Sequence, residues 1–200
     1  NAYRAQIGGS LVSGGNASST TSSKVNQSAY GLELALAHGP FKVQGEYSNL
    51  DFDASTAGTT NTISGNAETY YVEALYMLTG ENYAGWYKNG AWSGIKPKSD
   101  FDIETGKGIG AWEIGLRFDR FEVTDLTKAG TSRVQGSVAS NNGGGAETYT
   151  AGVKWQLTPN MRVLANYAHT QFDTAFTPVD TSLTRVSKED LFMVRSQFSF

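Results

Sequence analysis

Charged side chains in this sequence recur at spacings of two and four residues, as in Lys42 and Glu46 or Arg117 and Asp119. Residues at these spacings point to the same side of a β-strand. The pattern could bring charges of both signs onto one wall of an aqueous passage, where they would bind and release ions instead of breaking covalent bonds. The predicted inward-facing residues are the basic Arg4, Lys42, Arg117, Lys154, Arg162 and Arg195 and the acidic Glu33, Glu46, Glu73, Glu113 and Asp119.

Catalytic chemistry has few candidates in this chain. It contains no Cys, and its two imidazoles are His38, in a predicted turn, and His169, near a predicted strand end where an interfacial or subunit contact is expected. The Gly-Lys-Gly-Ile-Gly run at 106–110 resembles a phosphate-binding loop but lacks the strand–loop–helix context and the Lys-Ser/Thr ending. We therefore predict no enzyme, no catalytic residue, no metal site and no cofactor.

The composition excludes several classes of protein. The 200 residues include 16 Lys and Arg against 19 Asp and Glu, for a net charge of -3, with no basic block that would bind nucleic acid. A hydrophobic content of 39% is too high for a disordered chain. Charges or glycines interrupt every apolar run before the roughly 18 residues of a membrane helix. A folded protein without membrane helices is expected.

The elements that would position the charged residues are β-strands. Apolar and polar residues alternate with a period of two through nearly every ordered-looking stretch, and Gly, Ser, Thr and Asn separate these stretches. The pattern predicts an all-β chain with about eight strands. They are placed at 2–11, 28–38, 41–52, 67–79, 110–123, 147–157, 161–172 and 189–200.

Strand length and connection length both indicate an antiparallel transmembrane β-barrel. The predicted strands average near eleven residues, as in strands that cross a membrane at a tilt. Tight turns at 38–40 and 158–160 alternate with long polar connections, as in outer-membrane barrels. The long connections are 12–27, 53–66, 124–146 and 173–188. An insertion at 80–109 lies on the tight-turn side and contains a predicted hairpin around Asn89-Gly90.

The distribution of charge over the two strand faces supports the same fold. In 147–157, for example, one face carries Val153, Trp155 and Leu157 while the other carries Lys154 and Gln156. An uncharged apolar face is what lipid requires, since Arg or Lys at the bilayer midplane costs roughly 2 to 4 kcal/mol. Tyr and Trp near strand ends would form interfacial girdles. A soluble sandwich or lipocalin-like barrel is the alternative reading of this alternation.

Several motifs carry a resemblance to a known family. The last strand places aromatic and apolar residues at alternate positions, as in the C-terminal assembly signal of outer-membrane barrels; these are Phe192, Val194, Phe198 and Phe200. The more specific motifs are Leu78-Thr79-Gly80-Glu81, Gly110-Ala111-Trp112-Glu113, Gly152-x-x-Trp155-x-x-x-Pro159-Asn160 and the Arg195-x-Gln197-x-x-Phe200 end. Together they resemble the phosphate-selective porin O and P family.

The resemblance implies a sixteen-stranded, homotrimeric porin of the bacterial outer membrane that passes small hydrophilic solutes and favours anions such as phosphate. Eight strands supply half of such a barrel, so the chain is expected to be a single segment, 1–200, that forms a C-terminal half. The resemblance also implies an inward arginine ladder, to which Arg4 is matched, and a constriction formed largely by the N-terminal half.

Two alternatives stay open on the residues alone. The chain could be a complete eight-stranded barrel with a structural or adhesion role through its long loops, because such a barrel is filled by side chains and does not conduct. Lys154 and Arg195 could each pair with a neighbouring Glu to stiffen the wall, instead of meeting a solute.

Overall fold

The computed structural model describes residues 23–56, 62–83, 87–88, 91–92, 94–129, 144–176 and 186–199. The strands are β1 (Ser23–His38), β2 (Phe41–Thr56), β3 (Thr62–Met77), β4 (Tyr87–Lys88), β5 (Ala91–Trp92), β6 (Ala111–Ala129), β7 (Gly144–Thr158), β8 (Met161–Phe176) and β9 (Val186–Phe198). Seven form one antiparallel sheet in the order β1-β2-β3-β6-β7-β8-β9, and β4 and β5 form a separate hairpin. In the ranges given, no helix has the length and apolar character needed to span a membrane.

The long strands confirm the predicted all-β antiparallel fold. Seven of the eight predicted strands are present, and the predicted strand at 2–11 lies outside the described residues. The predicted tight turns at 38–40 and 158–160 are present, but the bounds of the long connections were too wide, because the strands extend into them. For example, β1 begins at Ser23, within the predicted loop 12–27. Polar residues continue the ladder because each strand residue pairs through its backbone N–H and C=O groups, whatever its side chain.

Each long strand pairs with the long strand next to it in sequence. Two-residue turns join β1 to β2 and β7 to β8 at one end of the sheet, and we call this the turn end. Gly39, in the first of these turns, has a φ of +55°, which favours glycine. Among the described residues, the edge strands β1 and β9 do not pair with each other, so the described sheet is open.

The strand register sorts side chains onto two faces. Cross-strand partners share a face, and Glu73 lies opposite both Gln44 and Arg117, while Glu113 lies opposite Lys154. We call this side the charged face and the opposite side the apolar face. The separation predicted from the alternation of residues is therefore present from the turn end as far as Phe118. Beyond Phe118 the apolar face also carries charges, and there Arg120 pairs with Glu122 and Glu147.

The apolar face has the surface of a sheet that meets lipid. Its leucines are largely solvent-exposed, with Leu32 70% and Leu116 67% accessible. Farther from the turn end, aromatic rings form a line in which the Phe118 ring lies 6.0 Å from that of Tyr70 and 5.1 Å from that of Tyr149. At the turn end two tryptophans stack on each other. An apolar band between two aromatic girdles is typical of membrane barrels.

Residues 78–110, between β3 and β6, fold back onto the turn end of the sheet. The Tyr83 N–H donates to the Gly39 carbonyl at 2.9 Å, and the Phe101 N–H donates to the Leu157 carbonyl at 2.8 Å. A small hydrophobic core forms beneath this connection, from Met77, Tyr83, Ile95 and Ala111. The predicted hairpin around Asn89-Gly90 is present as β4 and β5, which pair with each other and not with the main sheet.

Candidate functional site

The charged face gathers the predicted inward residues on one wall. The residues that share it by register are Lys42, Arg117, Lys154, Arg162, Arg195, Glu33, Glu46, Glu73, Glu113 and Asp119. Arg4 lies outside the described residues. Of the predicted assembly signal, Phe192, Val194 and Phe198 lie exposed on the apolar face, and Phe200 is outside the described residues.

The central part of the charged face is a row of alternating charges across three strands. Lys42 on β2 lies 3.8 Å from the Glu73 carboxylate on β3, and Arg117 on β6 lies 3.6 Å from the other Glu73 oxygen. Arg117 also donates to Asp119 at 2.5 Å and covers the Tyr71 ring at 3.7 Å. These basic groups are neutralised by their neighbours, so they stiffen the wall and leave little excess potential.

A second pair lies nearer the turn end. Lys154 on β7 lies 2.6 Å from Glu113 on β6, and the other Glu113 oxygen accepts a 2.5 Å hydrogen bond from the Tyr83 hydroxyl. Burial and this hydrogen bond raise the pKa of Tyr83 above its ordinary value, so the phenol stays protonated and donates. Lys154 therefore has a neighbouring Glu as its partner, which is the pairing that one of the two alternatives requires.

The connection 78–110 supplies groups to the charged face that sequence reasoning did not find. The ammonium of Lys42 lies 4.7 Å from the ring centre of Trp92 and 5.6 Å from that of Tyr83, and the side chain is almost fully buried. Aromatic rings attract a cation placed over their faces. The Lys42 charge is held between rings and Glu73, and the connection occupies space on this side of the sheet.

Two arginines at the turn end differ from the other basic residues. Arg162 on β8 donates to the amide oxygen of Gln197 through Nε at 3.1 Å and Nη2 at 2.8 Å, and Arg195 on β9 donates to the same oxygen at 2.9 Å. Among the described residues, neither has a carboxylate within ion-pair distance, unlike Lys42, Arg117 and Lys154. Two positive charges thus converge on one neutral group.

The two histidines are not part of this arrangement, and they differ in placement. His169 lies on the apolar face, where Nδ1 is 2.7 Å from Asp190 and the neighbouring Tyr167 hydroxyl donates to the same carboxylate at 2.6 Å. His38 ends β1 at the turn. The glycines of 106–110 lead directly into strand β6, so this run does not introduce a phosphate-binding helix.

Comparison with known proteins identifies the family. A family model described as phosphate-selective porin O and P matches residues 6–200. The chain belongs to this family. Porin O of Pseudomonas aeruginosa is 29% identical over 162 residues, which cover 80% of this chain and 33% of Porin O. The chain therefore spans about a third of the length of that relative.

Membership of the phosphate-selective porin O and P family confirms the resemblance found in the sequence motifs. It also confirms the predicted location in the bacterial outer membrane and the prediction that the chain is not an enzyme. The exposed leucines and aromatic girdles of the apolar face are typical of the lipid-facing side of an outer-membrane sheet.

Proposed function

We propose that this chain forms part of an outer-membrane porin that passes small hydrophilic solutes by passive diffusion and favours anions, phosphate among them. The family description and the name of the matching relative support a porin with phosphate selectivity. The charged face supports an aqueous wall, since ten predicted inward charges share it. Lipid would make unpaired charges on this face costly.

The observation that carries the anion preference is the pair of arginines on Gln197. Lys42, Arg117 and Lys154 each have a carboxylate partner, whereas Arg162 and Arg195 share only the amide oxygen in the described residues. Selectivity in a pore depends on local potential and not on net charge. The excess positive potential of this wall is therefore concentrated at the turn end.

The mechanism is exclusion by size together with weak electrostatic attraction. The ion-pair row on β2, β3 and β6 keeps the wall rigid, and the connection 78–110 narrows the passage at the turn end by placing Tyr83 and Trp92 over the charged face. A phosphate near Arg162 and Arg195 would accept guanidinium hydrogen bonds, and it would leave readily because water competes for the same donors.

We also propose that the described sheet is part of the wall of a larger barrel, with 78–110 as its insertion, and that the porin is a homotrimer. The open sheet and the coverage of a third of Porin O support a larger barrel. Phe192, Val194 and Phe198 serve as an assembly signal in this proposal. Mass measurement of the full-length protein in detergent tests the trimer, and a monomeric mass contradicts it.

Single-channel recording of the purified full-length protein in a planar bilayer tests the function. Asymmetric salt gives the reversal potential, and added phosphate gives competition. Anion-selective steps in groups of three that phosphate blocks are the expected result. Steps without selectivity contradict the anion preference, and silence favours the alternative of a filled eight-stranded barrel acting through its loops.

A further inference from the structure

The connection 78–110 lies across the turn-end rim of the sheet, with a part on each face. Tyr83 and Trp92 lie on the charged face, as shown by their contacts with Lys42. The later part, residues 99–110, lies on the apolar face, where the Phe101 ring meets the Trp155 ring edge-on at 5.0 Å. We call residues 99–110 the rim loop.

The rim loop is fixed to the turn-end tryptophans. Trp112 and Trp155 stack at 5.1 Å, and their indole N–H groups both donate to the Ile109 carbonyl, at 3.0 and 2.9 Å. Trp112 shares the apolar face with Ile114, and Trp155 is its direct cross-strand partner. Stacked indoles with satisfied N–H groups suit the boundary between hydrocarbon and headgroups.

The backbone of the rim loop is held in one conformation by its own hydrogen bonds. The Asp102 N–H donates to the Lys107 carbonyl at 2.8 Å, and the Gly106 N–H donates to the Asp102 carbonyl at 2.8 Å. Gly108 has a φ of +79°, and a Cβ there would lie 1.9 Å from the Asp100 carbonyl oxygen. The backbone of the rim loop is therefore restrained, and this fixes the positions of its side chains.

Two large apolar side chains of the rim loop are exposed. Ile103 is 64% exposed and Ile109 is 60% exposed, and nothing in the described chain covers them. Leu78, whose N–H donates to the Trp112 carbonyl at 2.8 Å, is also 55% exposed. Leu78 and Ile109 both border Trp112 on the apolar face, so they extend the lipid-facing surface beyond the end of the strands. Glu104 and Lys107 on the rim loop provide charged groups for polar headgroups.

We propose that the rim loop binds the lipid bilayer, with Ile103 and Ile109 entering the boundary between acyl chains and headgroups at the turn end. The occupant is lipid because the patch is continuous with a face that already meets lipid and is bordered by an interfacial tryptophan pair. The contact does not depend on which solute the porin passes. It anchors the connection that places Tyr83 and Trp92 over the charged face.

Spin labels on the full-length protein test this proposal. The 200 residues contain no Cys, so Ile103→Cys and Ile109→Cys each introduce one label site into this part of the protein, with any cysteine elsewhere replaced. Leu116→Cys on the apolar face is the lipid control, and Glu33→Cys on the charged face is the water control. The labelled proteins are placed in phosphatidylethanolamine and phosphatidylglycerol vesicles, and their folding is checked by heat-modifiable electrophoretic mobility.

The expected result is a ratio of oxygen to nickel-complex collision rates at 103 and 109 that is several-fold above the Glu33 value and below the Leu116 value, as for labels at the boundary between acyl chains and headgroups. A nickel-accessible label at both positions overturns the proposal, because the loop then lies in water. Labels shielded from both reagents also overturn it, because a protein surface then covers the patch. A lipid-like value at Glu33 instead contradicts the aqueous charged face and leaves the result for the rim loop intact.

Discussion

Replacement of Arg195 by Gln tests whether the turn-end arginines set the ion preference of the porin. Arg195 reaches the Gln197 oxygen at 2.9 Å without a carboxylate partner in the described residues, so its charge is available to a passing anion. Lys188→Gln is the matched control. This substitution makes the same charge change on the same strand, β9. Lys188 lies on the opposite face from Arg195, because the two positions are an odd number of residues apart.

The size of the effect follows from Coulomb's law. An anion about 4 Å from one guanidinium gains about 1 kcal/mol in the dielectric of water, the weakest case. At 0.1 M salt the Debye length is about 10 Å, so screening reduces this attraction to about 0.7 kcal/mol. Loss of the attraction changes the anion occupancy roughly threefold. A cation is disfavoured by a similar factor, so the anion-to-cation permeability ratio should fall roughly tenfold.

Reversal potentials of the full-length protein in planar bilayers measure this ratio. At 1 M salt the Debye length is about 3 Å, so the difference between Arg195→Gln and the parent should fall below roughly twofold in occupancy. Arg162→Gln together with Arg195→Gln should produce a larger shift than either alone. The reasoning fails if Arg195→Gln shifts the reversal potential no more than Lys188→Gln does at low salt.

Three further predictions concern the connection 78–110. Tyr83→Phe removes a buried hydrogen-bond donor to Glu113 and should destabilise the connection by about 1 to 3 kcal/mol. The backbone amide of residue 83 should then exchange roughly 5- to 150-fold faster. Tyr149→Phe, at an exposed position, should leave this exchange rate unchanged. Gly108→Ala places an alanine in the left-handed region with its Cβ against the Asp100 carbonyl, which should destabilise the rim loop by at least about 1 to 2 kcal/mol. Tryptophan emission should shift to the red as the rim loop leaves the stacked tryptophans. Gly144→Ala is the control, because no atom lies near a Cβ at that position. Hydrogen bonds from the Thr105 hydroxyl and from the Glu104 and Thr105 N–H groups lower the pKa of Asp102, so this stabilisation is present above about pH 4 and lost at lower pH. Amide protection at Glu104 and Thr105 should therefore fall on acidification, and an unchanged protection factor at about pH 2 would show that the carboxylate is not the anchor.

The two faces of the sheet could be predicted from sequence because side-chain direction has a strict period of two. Lys154 and Glu113 were both assigned to the charged face on this basis, and the register makes them direct partners. The individual ion pairs could not be predicted, because a shift of register by two residues keeps the faces and changes every partner. Arg195 illustrates this point, since its partner is Gln197 and not a glutamate.

The placement of 78–110 could not be predicted from sequence. Tyr83, Trp92 and Ile95 show no period that indicates a strand or helix face. Their burial depends on contacts with Met77 on β3 and with Lys42 on β2. The hairpin at Asn89-Gly90 was predictable because its turn residues carry a local signal. Local turn chemistry is readable from the sequence, whereas the docking of an aperiodic segment depends on the assembled sheet.

The neighbour-to-neighbour strand order also bears on how the sheet forms. A chain that pairs each strand with the preceding one can grow hairpin by hairpin, and short turns keep the search for each partner brief. The pairing of β3 with β6 must close the longest of the connecting segments, 33 residues from 78 to 110, whereas two-residue turns join β1 to β2 and β7 to β8. Four doublings of loop length correspond to about 2.4 kcal/mol of additional closure entropy. The small core of Met77, Tyr83, Ile95 and Ala111 forms between the ends of that segment, so its assembly and the meeting of the two strands are expected to be one cooperative event in folding.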